Sequence, residues 1–262
     1  MFGSNRPSLA TILKLLDREW NLTAVDLTIN YYVVTIDLKG PSFVKALFFG
    51  SIGTIVETSQ LQYDAFHVAF AQHNLDWHWD LPTYKDMLKI SGGANRISAF
   101  ADKRNERVDA SAIHATKTSW FIEKLQSGSV KPLSYVSFGL KAAQEYGMKT
   151  GFVSTTEEAT VQIIAQKLVA EGHLGFDIMT HRQLGLPEKP EPDAYIHAFQ
   201  ALGLEAQSAI VIEDNVDGVA AAKTAGARVV GVPGAFAKET DLRAADITFG
   251  SASDIHWINL FT

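Results

Sequence analysis

The sequence predicts an α/β fold built on a parallel, doubly wound sheet, and three observations carry that expectation. Beyond Pro132, short runs rich in Val, Ile and Phe alternate with amphipathic helical patterns, the order that puts helices on both faces of a parallel sheet. Each run ends in a polar cluster, and in such sheets ligands bind outside the carboxyl ends of the strands. An apolar content of 47% in 262 residues is enough to fill one large core.

Taken in order, residues 1–43 read as an N-terminal helix-plus-strand extension. Leu9, Ile12, Leu13, Leu16 and Trp20 recur at helical spacing after Ser8, and the following Val-, Ile-, Thr- and Tyr-rich stretch ends at a Gly-Pro break. The extension either packs on the core or serves as a partner-binding arm. Val44 to Phe49 is a buried strand that runs into the turn "GSIGT". Residues 59–128 are mostly helical, including "LQYDAFHVAFAQHNL" and "DASAIHATKTSWFIEKL". The strand "KTGFVSTT", the helix "EATVQIIAQKLVAEG" and the strand "GFDIMTH" follow, then "EKPEPDAYIHAFQALG", "SAIVIEDN", "VDGVAAAKTAG" and "ARVVGVPG" as loop-plus-helix, strand, helix and strand. The domain layout is therefore 1–43 as extension, 44–58 with 129–262 as core, and 59–128 as a helical insertion.

Composition excludes several function classes. A net charge of -6 with scattered basic residues gives no electrostatic footprint for nucleic acid. Without cysteine there is no disulfide framework, thiolate nucleophile or Cys-based zinc site. No apolar run is long enough to span a membrane, and the N-terminus lacks a signal-peptide pattern. A cytoplasmic location is expected, with neither nucleic acid nor membrane as partner. The eight histidines show no metal-ligand spacing. Trp77 and Trp79 suit packing within the helical segment better than an aromatic binding platform.

Four groups are expected to converge at one sheet edge. Ser154, Thr155 and Thr156 close a strand, offering hydroxyls and a helix N-terminus suited to an anion. Lys189 sits in a loop stiffened by Pro187, Pro190 and Pro192. Glu213 and Asp214 end a strand, a common placement for carboxylates that hold Mg²⁺. Gly53 and Thr54 form a turn where backbone can approach a phosphate. Together these describe a phosphoryl site. Each also has a plainer explanation: Ser154–Thr156 or Glu213–Asp214 as helix caps, and Lys189 as a solvated loop residue.

"KPEPD", "IEDNVDG" and "AAAKTAG", with "FVSTT" before them, resemble the third, fourth and second motifs of the haloacid dehalogenase (HAD) superfamily. The segment "ETSQLQYDAFHVAFAQHNLDWHWDLPTYKDMLKISGGANRI" is similar to the helical cap of the β-phosphoglucomutase-like branch, especially CbbY-type sugar-phosphate phosphatases. The resemblance covers about residues 44–250. It implies a Rossmann-like core with an inserted cap closing over a phosphorylated substrate. It also implies substrate contacts from Glu57, Gly92, Gly93 and Arg96.

The first motif departs from the family pattern Asp-x-Asp-Gly-Thr. Gly50 falls on the nucleophile position and Ile52 on that of the acid/base. A covalent aspartyl-phosphate cannot form without that carboxylate, and a metal loses one ligand, though Ile52 keeps its carbonyl. Ser51 is a poor substitute, since neighbouring side chains on extended backbone point to opposite sides and no base is apparent beside it. Ala94 and Asn95 replace the Lys and Glu of a "GGKER" pattern, Gln62 replaces a His, and "PLSYVSFG" replaces an Arg-Pro-Gly run. The expectation is a catalytically inactive pseudo-phosphatase with a binding or regulatory role. Its partner is another protein, bound through the cap or the extension, or else a phosphorylated small molecule. Lys189 is expected to pair with Glu213 or Asp214. No cofactor is expected, and Mg²⁺ only if the residual site holds it. The alternative is an active Mg²⁺-dependent phosphatase or hydrolase using non-standard residues.

Overall fold

A computed structural model describes residues 44–88, 90, 92–128, 131–236 and 239–250, and the helix-plus-strand extension over 1–43 lies outside them. Six strands form one sheet in the order β3-β2-β1-β4-β5-β6, and every neighbouring pair is parallel. They are β1 (Ala46–Phe49), β2 (Lys149–Val153), β3 (Ile178–Thr180), β4 (Ala209–Glu213), β5 (Arg228–Gly231) and β6 (Ile247–Thr248). The two-residue β6 has no counterpart in the sequence reading.

Strand β1 shows why these runs are continuously apolar. Its side chains alternate between faces, and both faces are covered. Leu47 and Phe49 join a layer with Val136, Leu140, Ile164 and Leu168 from helices α5 (Ser134–Glu145) and α6 (Glu158–Ala170). Ala46 and Phe48 join the opposite layer with Tyr195, Phe199, Val219 and Ala222 from α7 (Asp193–Leu202) and α8 (Val216–Thr224). Phe48 stacks on Phe199 with ring centroids 5.4 Å apart.

Between β1 and α5 the chain forms four helices, α1 (Ser59–Gln72), α2 (Leu81–Met87), α3 (Gly93–Arg104) and α4 (Ala110–Ser127). They enclose a separate apolar cluster of Phe66, Phe70, Trp77, Trp79, Tyr84, Ile97 and Ile113. Asp80 caps α2 by accepting from the Thr83 N–H at 2.8 Å, and Asp109 caps α4 by accepting from the Ala112 N–H at 2.9 Å. Trp77 and Trp79 are both buried in this cluster, so their surface fills the insertion and presents no platform to a ligand. The fold is thus an α/β parallel sheet with an inserted helical cap. Among the described residues no helix is long and apolar enough to cross a membrane.

Strand β1 lies between β2 and β4. The connections leaving it therefore run to opposite sides, which opens a crevice beyond the carboxyl ends of β1 and β4. Gly50 follows β1, Ser154 follows β2 and Asp214 follows β4, so all three stand at that edge.

Candidate functional site

The alternation of the strands determines which side chains meet. Phe48, Val153 and Val211 face the α7/α8 layer, so Gly50 and Glu213, two residues beyond Phe48 and Val211, are directed to the same side, where Tyr195 rises from the first turn of α7. Lys189, in the loop before α7, enters from the same direction with its side chain 8% exposed. Its ammonium donates to the carbonyl of Gly50, to Val153 O at 2.9 Å, to Tyr195 Oη at 3.0 Å and to Glu213 Oε1 at 2.6 Å. Tyr195 Oη donates to the same Glu213 oxygen at 2.5 Å. Tyr195 and Glu213 are fully buried. Burial holds the Glu213 carboxyl above its usual range against the pull of Lys189, and burial likewise pushes the Tyr195 hydroxyl well up.

This cluster occupies the space that a side chain at position 50 requires. A Cβ built on Gly50 stands 2.1 Å from Glu213 Oε1 and 2.2 Å from Tyr195 Oη. Gly218, in the first turn of α8, makes room from the other side, since a Cβ there stands 2.1 Å from the Glu213 carboxyl. Tyr195 and Gly218 were not anticipated as site residues. Strand alternation would have directed Glu213 towards α7, and Tyr195 follows Asp193 of "KPEPD" by two residues.

Asp214 lies outside the cluster and is half-buried. Its Oδ2 rests against Gly53, where a Cβ would stand 1.9 Å away, and its Oδ1 accepts from the Asn215 amide at 2.8 Å. Burial raises the Asp214 carboxyl above its usual range, opposed by hydrogen bonding from Asn215 and Ser51. The expectation that Ser51 has no base beside it is thus corrected. The carboxylate comes from β4, far along the chain and invisible in the local sequence. Asn215, not Glu213 or Asp214, caps α8, accepting from the Gly218 N–H at 2.8 Å.

The "GSIGT" turn closes on itself. Thr54 Oγ1 donates to Ser51 O at 2.8 Å, and the Thr54 N–H reaches Ser51 Oγ at 3.2 Å. The Gly53–Thr54 turn, expected to approach a phosphate, here accommodates Asp214 and its own hydroxyl contacts. The Ile52 carbonyl accepts from the N–H groups of Ile55 at 3.0 Å and Val56 at 2.9 Å, so the carbonyl left for a metal is already engaged. Ser154 is buried, and its Oγ accepts from the Thr156 N–H at 3.2 Å. That hydroxyl turns the chain ahead of α6. Thr155 beside it is half-buried.

On the cap side, Glu57 accepts from the Ser59 N–H at 2.6 Å at the start of α1 and from the Ala235 N–H at 3.4 Å. Gly92 precedes α3 with φ of 79°, where a side chain is strained. Gly93 packs on His114, whose Nε2 would lie 2.3 Å from a Cβ there. Arg96 donates from Nε to Ile90 O at 2.7 Å. Burial lowers the Arg96 pKa, opposed by Tyr84 and by Asp217 of α8. The His114 imidazole is pushed down to about 4 by burial and by the charges of Lys117, Arg182 and Arg96, with Glu157 opposing.

A hard divalent cation needs several oxygen donors, carboxylates foremost. Among the described residues no group of three or more acidic or imidazole side chains is arranged to hold one. Glu213 is committed to Lys189 and Tyr195, which leaves Asp214 alone. This donor set does not fit Mg²⁺.

Comparison with known proteins places the chain. The family model of haloacid dehalogenase-like hydrolases matches residues 53–232. The chain is 31% identical over 207 residues to the protein CbbY of Rhodobacter capsulatus, covering 78% of this chain and 91% of that one. It is 32% identical over 213 residues to the plasmid-borne CbbY of Cupriavidus necator, covering 77% and 83%. The crystal structure of CbbY from Rhodobacter sphaeroides in complex with phosphate superposes with a TM-score of 0.70 at 27% identity, covering 81% of this chain and 96% of that one. With its parallel sheet, its inserted helices and these relatives, the chain belongs to the haloacid dehalogenase superfamily, in its CbbY and β-phosphoglucomutase-like branch.

Proposed function

We propose that this chain is a catalytically silent member of the CbbY-like phosphatases, and that its role is binding or regulation. The supporting observation is the filled space at Gly50. Where an attacking carboxylate belongs, the Glu213 carboxylate and the Tyr195 hydroxyl lie within 2.2 Å of the missing Cβ. Glu213 also neutralises Lys189, the cation that would otherwise meet a phosphate. A phosphoryl group entering here meets no nucleophile, no proton donor at Ile52 and no free ammonium. The related Rhodobacter sphaeroides protein was crystallised with phosphate, and the same edge here is closed by its own ion pair. That favours a protein partner, met through the cap over 59–128 or the extension over 1–43, above a phosphorylated metabolite held in the core.

One observation favours the second reading, an active hydrolase using displaced residues: the Ser51 hydroxyl beside the Asp214 carboxyl. A single experiment separates the two. Phosphatase activity is measured with Mg²⁺ on a panel of sugar phosphates, for wild type and for the Gly50→Asp/Ile52→Asp double mutant. The silent reading expects an inert wild type, and a double mutant that stays inert while Glu213 and Tyr195 fill the space at position 50. Wild-type turnover abolished by Asp214→Asn would overturn it, and loss on Ser51→Ala as well would identify the replacement nucleophile.

A further inference from the structure

Between α5 and the turn after α6 lies a partly apolar hollow of about 390 Å³, lined by Phe138, Leu140, Lys141 and Gln144 of α5 and by His173 and Leu174 of the turn. Phe138 is 57% exposed and Leu174 60%, so each wall leaves a large apolar side chain to water. Ser137 Oγ and His173 Nε2, 3.1 Å apart, fasten the turn to the helix. The hollow is therefore part of the packed core. It lies towards the amino ends of the strands, since α5 ends at Glu145 just before β2, and His173 and Leu174 precede β3. Val44, where the described chain begins, stands at that same end and packs on the layer that contains Leu140. Beside it the Lys45 carbonyl accepts from the Lys149 N–H at 2.8 Å. Residues 1–43 thus enter the fold next to the hollow.

We propose that residues 9–20 of the extension seat as a helix in this hollow of their own chain, apolar stripe inward. At helical spacing Leu9, Ile12, Leu13, Leu16 and Trp20 share one face, Asp17 and Glu19 flank it on its two sides, and Lys14 and Arg18 fall on the opposite face. Lys141, whose exposed ammonium lies 3.9 Å from Glu145, stands in the lining to meet one of the flanking acids. Residues 21–43 span up to about 75 Å when extended, so the tether reaches. Tethering also gives an effective concentration on the order of a millimolar, which fills a groove too weak to hold a free peptide. The C-terminal residues 251–262 also carry apolar side chains, but they follow β6, at the far edge of the sheet from β2 and β3. The hollow lies at the opposite end of the strands from Lys189, so the docking stands whether or not the core turns over phosphate esters. A partner that uses the extension must first lift it from the hollow.

The chain has no cysteine, so introduced pairs report proximity without background. Full-length protein carrying Leu174→Cys together with Leu13→Cys, with Leu16→Cys or, as control, with Lys14→Cys is oxidised in dilute solution, and disulfides are read by mass and by gel mobility. The two stripe positions should close an intramolecular disulfide at least about tenfold faster than the control, because a disulfide needs close approach and opposite faces of one helix cannot both reach the hollow. Adding Phe138→Glu, at an exposed position, should abolish that difference. Equal rates at stripe and control positions would overturn the docking, and a difference that survives Phe138→Glu would overturn its placement in this hollow. Disulfides that form between chains and increase with protein concentration would overturn the assignment to the same chain and give the hollow to a second copy.

Discussion

Substituting Gly50 by Ala tests the central structural claim with one methyl group. Ordinary contact at a Cβ begins near 3.4 Å, yet Glu213 Oε1 and Tyr195 Oη stand at 2.1 and 2.2 Å, so both must retreat by more than an ångström. Neither retreats freely, since each is fully buried and they share the 2.5 Å bond between Tyr195 and Glu213 and the 2.6 Å bond from Lys189. Overpacking costs about 1–3 kcal/mol, and weakening one hydrogen bond to a buried charge adds about 1.5–3 kcal/mol. Against these, Ala for Gly restricts the unfolded chain by about 0.4–1 kcal/mol. The expected net loss is about 1.5–5.5 kcal/mol, read as a lower urea midpoint at unchanged slope. Gly53→Ala is the control. The obstructing atom there, Asp214 Oδ2 at 1.9 Å, belongs to a half-buried side chain that can turn to water, so the loss should stay below about 1.5 kcal/mol. Tyr195→Phe removes one obstructing atom, so the Gly50→Ala/Tyr195→Phe pair should be more stable than the sum of its singles by about 1 kcal/mol or more. A neutral Gly50→Ala, within about 0.5 kcal/mol of wild type, would show that the space at position 50 is open and refute the reasoning.

Three further outcomes follow from the same contacts. Lys189→Met leaves Glu213 buried without its cation and should cost about 3–5 kcal/mol in urea unfolding, part of it recovered by Lys189→Met/Glu213→Met. A single mutant as stable as wild type would exclude a buried pair. Asn215→Ala removes the cap of α8 and should cost about 0.5–2 kcal/mol by the same assay, whereas Glu213 and Asp214 contribute no cap to lose. Stability should also rise with pH through Lys117. Burial, reinforced by Arg96, lowers its pKa from 10.5 unfolded to about 7 folded, so between these values the unfolded chain holds a proton that the fold has released. From pH 7 to 9 the gain is about 2 kcal/mol. The difference between wild type and Lys117→Met in urea midpoint should track that gain, and parallel pH curves would contradict it.

The core strands were legible because burial on both faces makes them continuously apolar, as in "ALFF" of β1 and "AIVIE" of β4. The helices were legible by their apolar period, whereas caps such as Asp109 emerged only from the structure. Strand β6 was not, since two residues carry no period. Among site residues, Lys189 and Glu213 announced themselves by motif, and the structure places them in contact at 2.6 Å. Tyr195 and Gly218 did not. Their importance lies in how α7 and α8 seat against β4, a relation between residues with no local signature. Lys117 was hidden for a related reason. A lysine within an amphipathic helix reads as solvated until the partner helix supplies Phe66 and Gln62 in place of water.

The ion pair of the core explains why a phosphate should gain little by entering it. In the core, loss of a carboxylate at position 50 leaves Lys189 without a counter-ion unless another acid takes over. Glu213 does so at 2.6 Å, with Tyr195 completing its hydrogen bonding. An incoming phosphate must then displace a buried carboxylate that has nowhere charged to go, because the remaining donors do not fit a metal. The attraction of the ligand for Lys189 is offset by the cost of leaving Glu213 buried and unpaired, about 3–5 kcal/mol. An anion therefore gains little in the core, where Glu213 already answers the charge of Lys189.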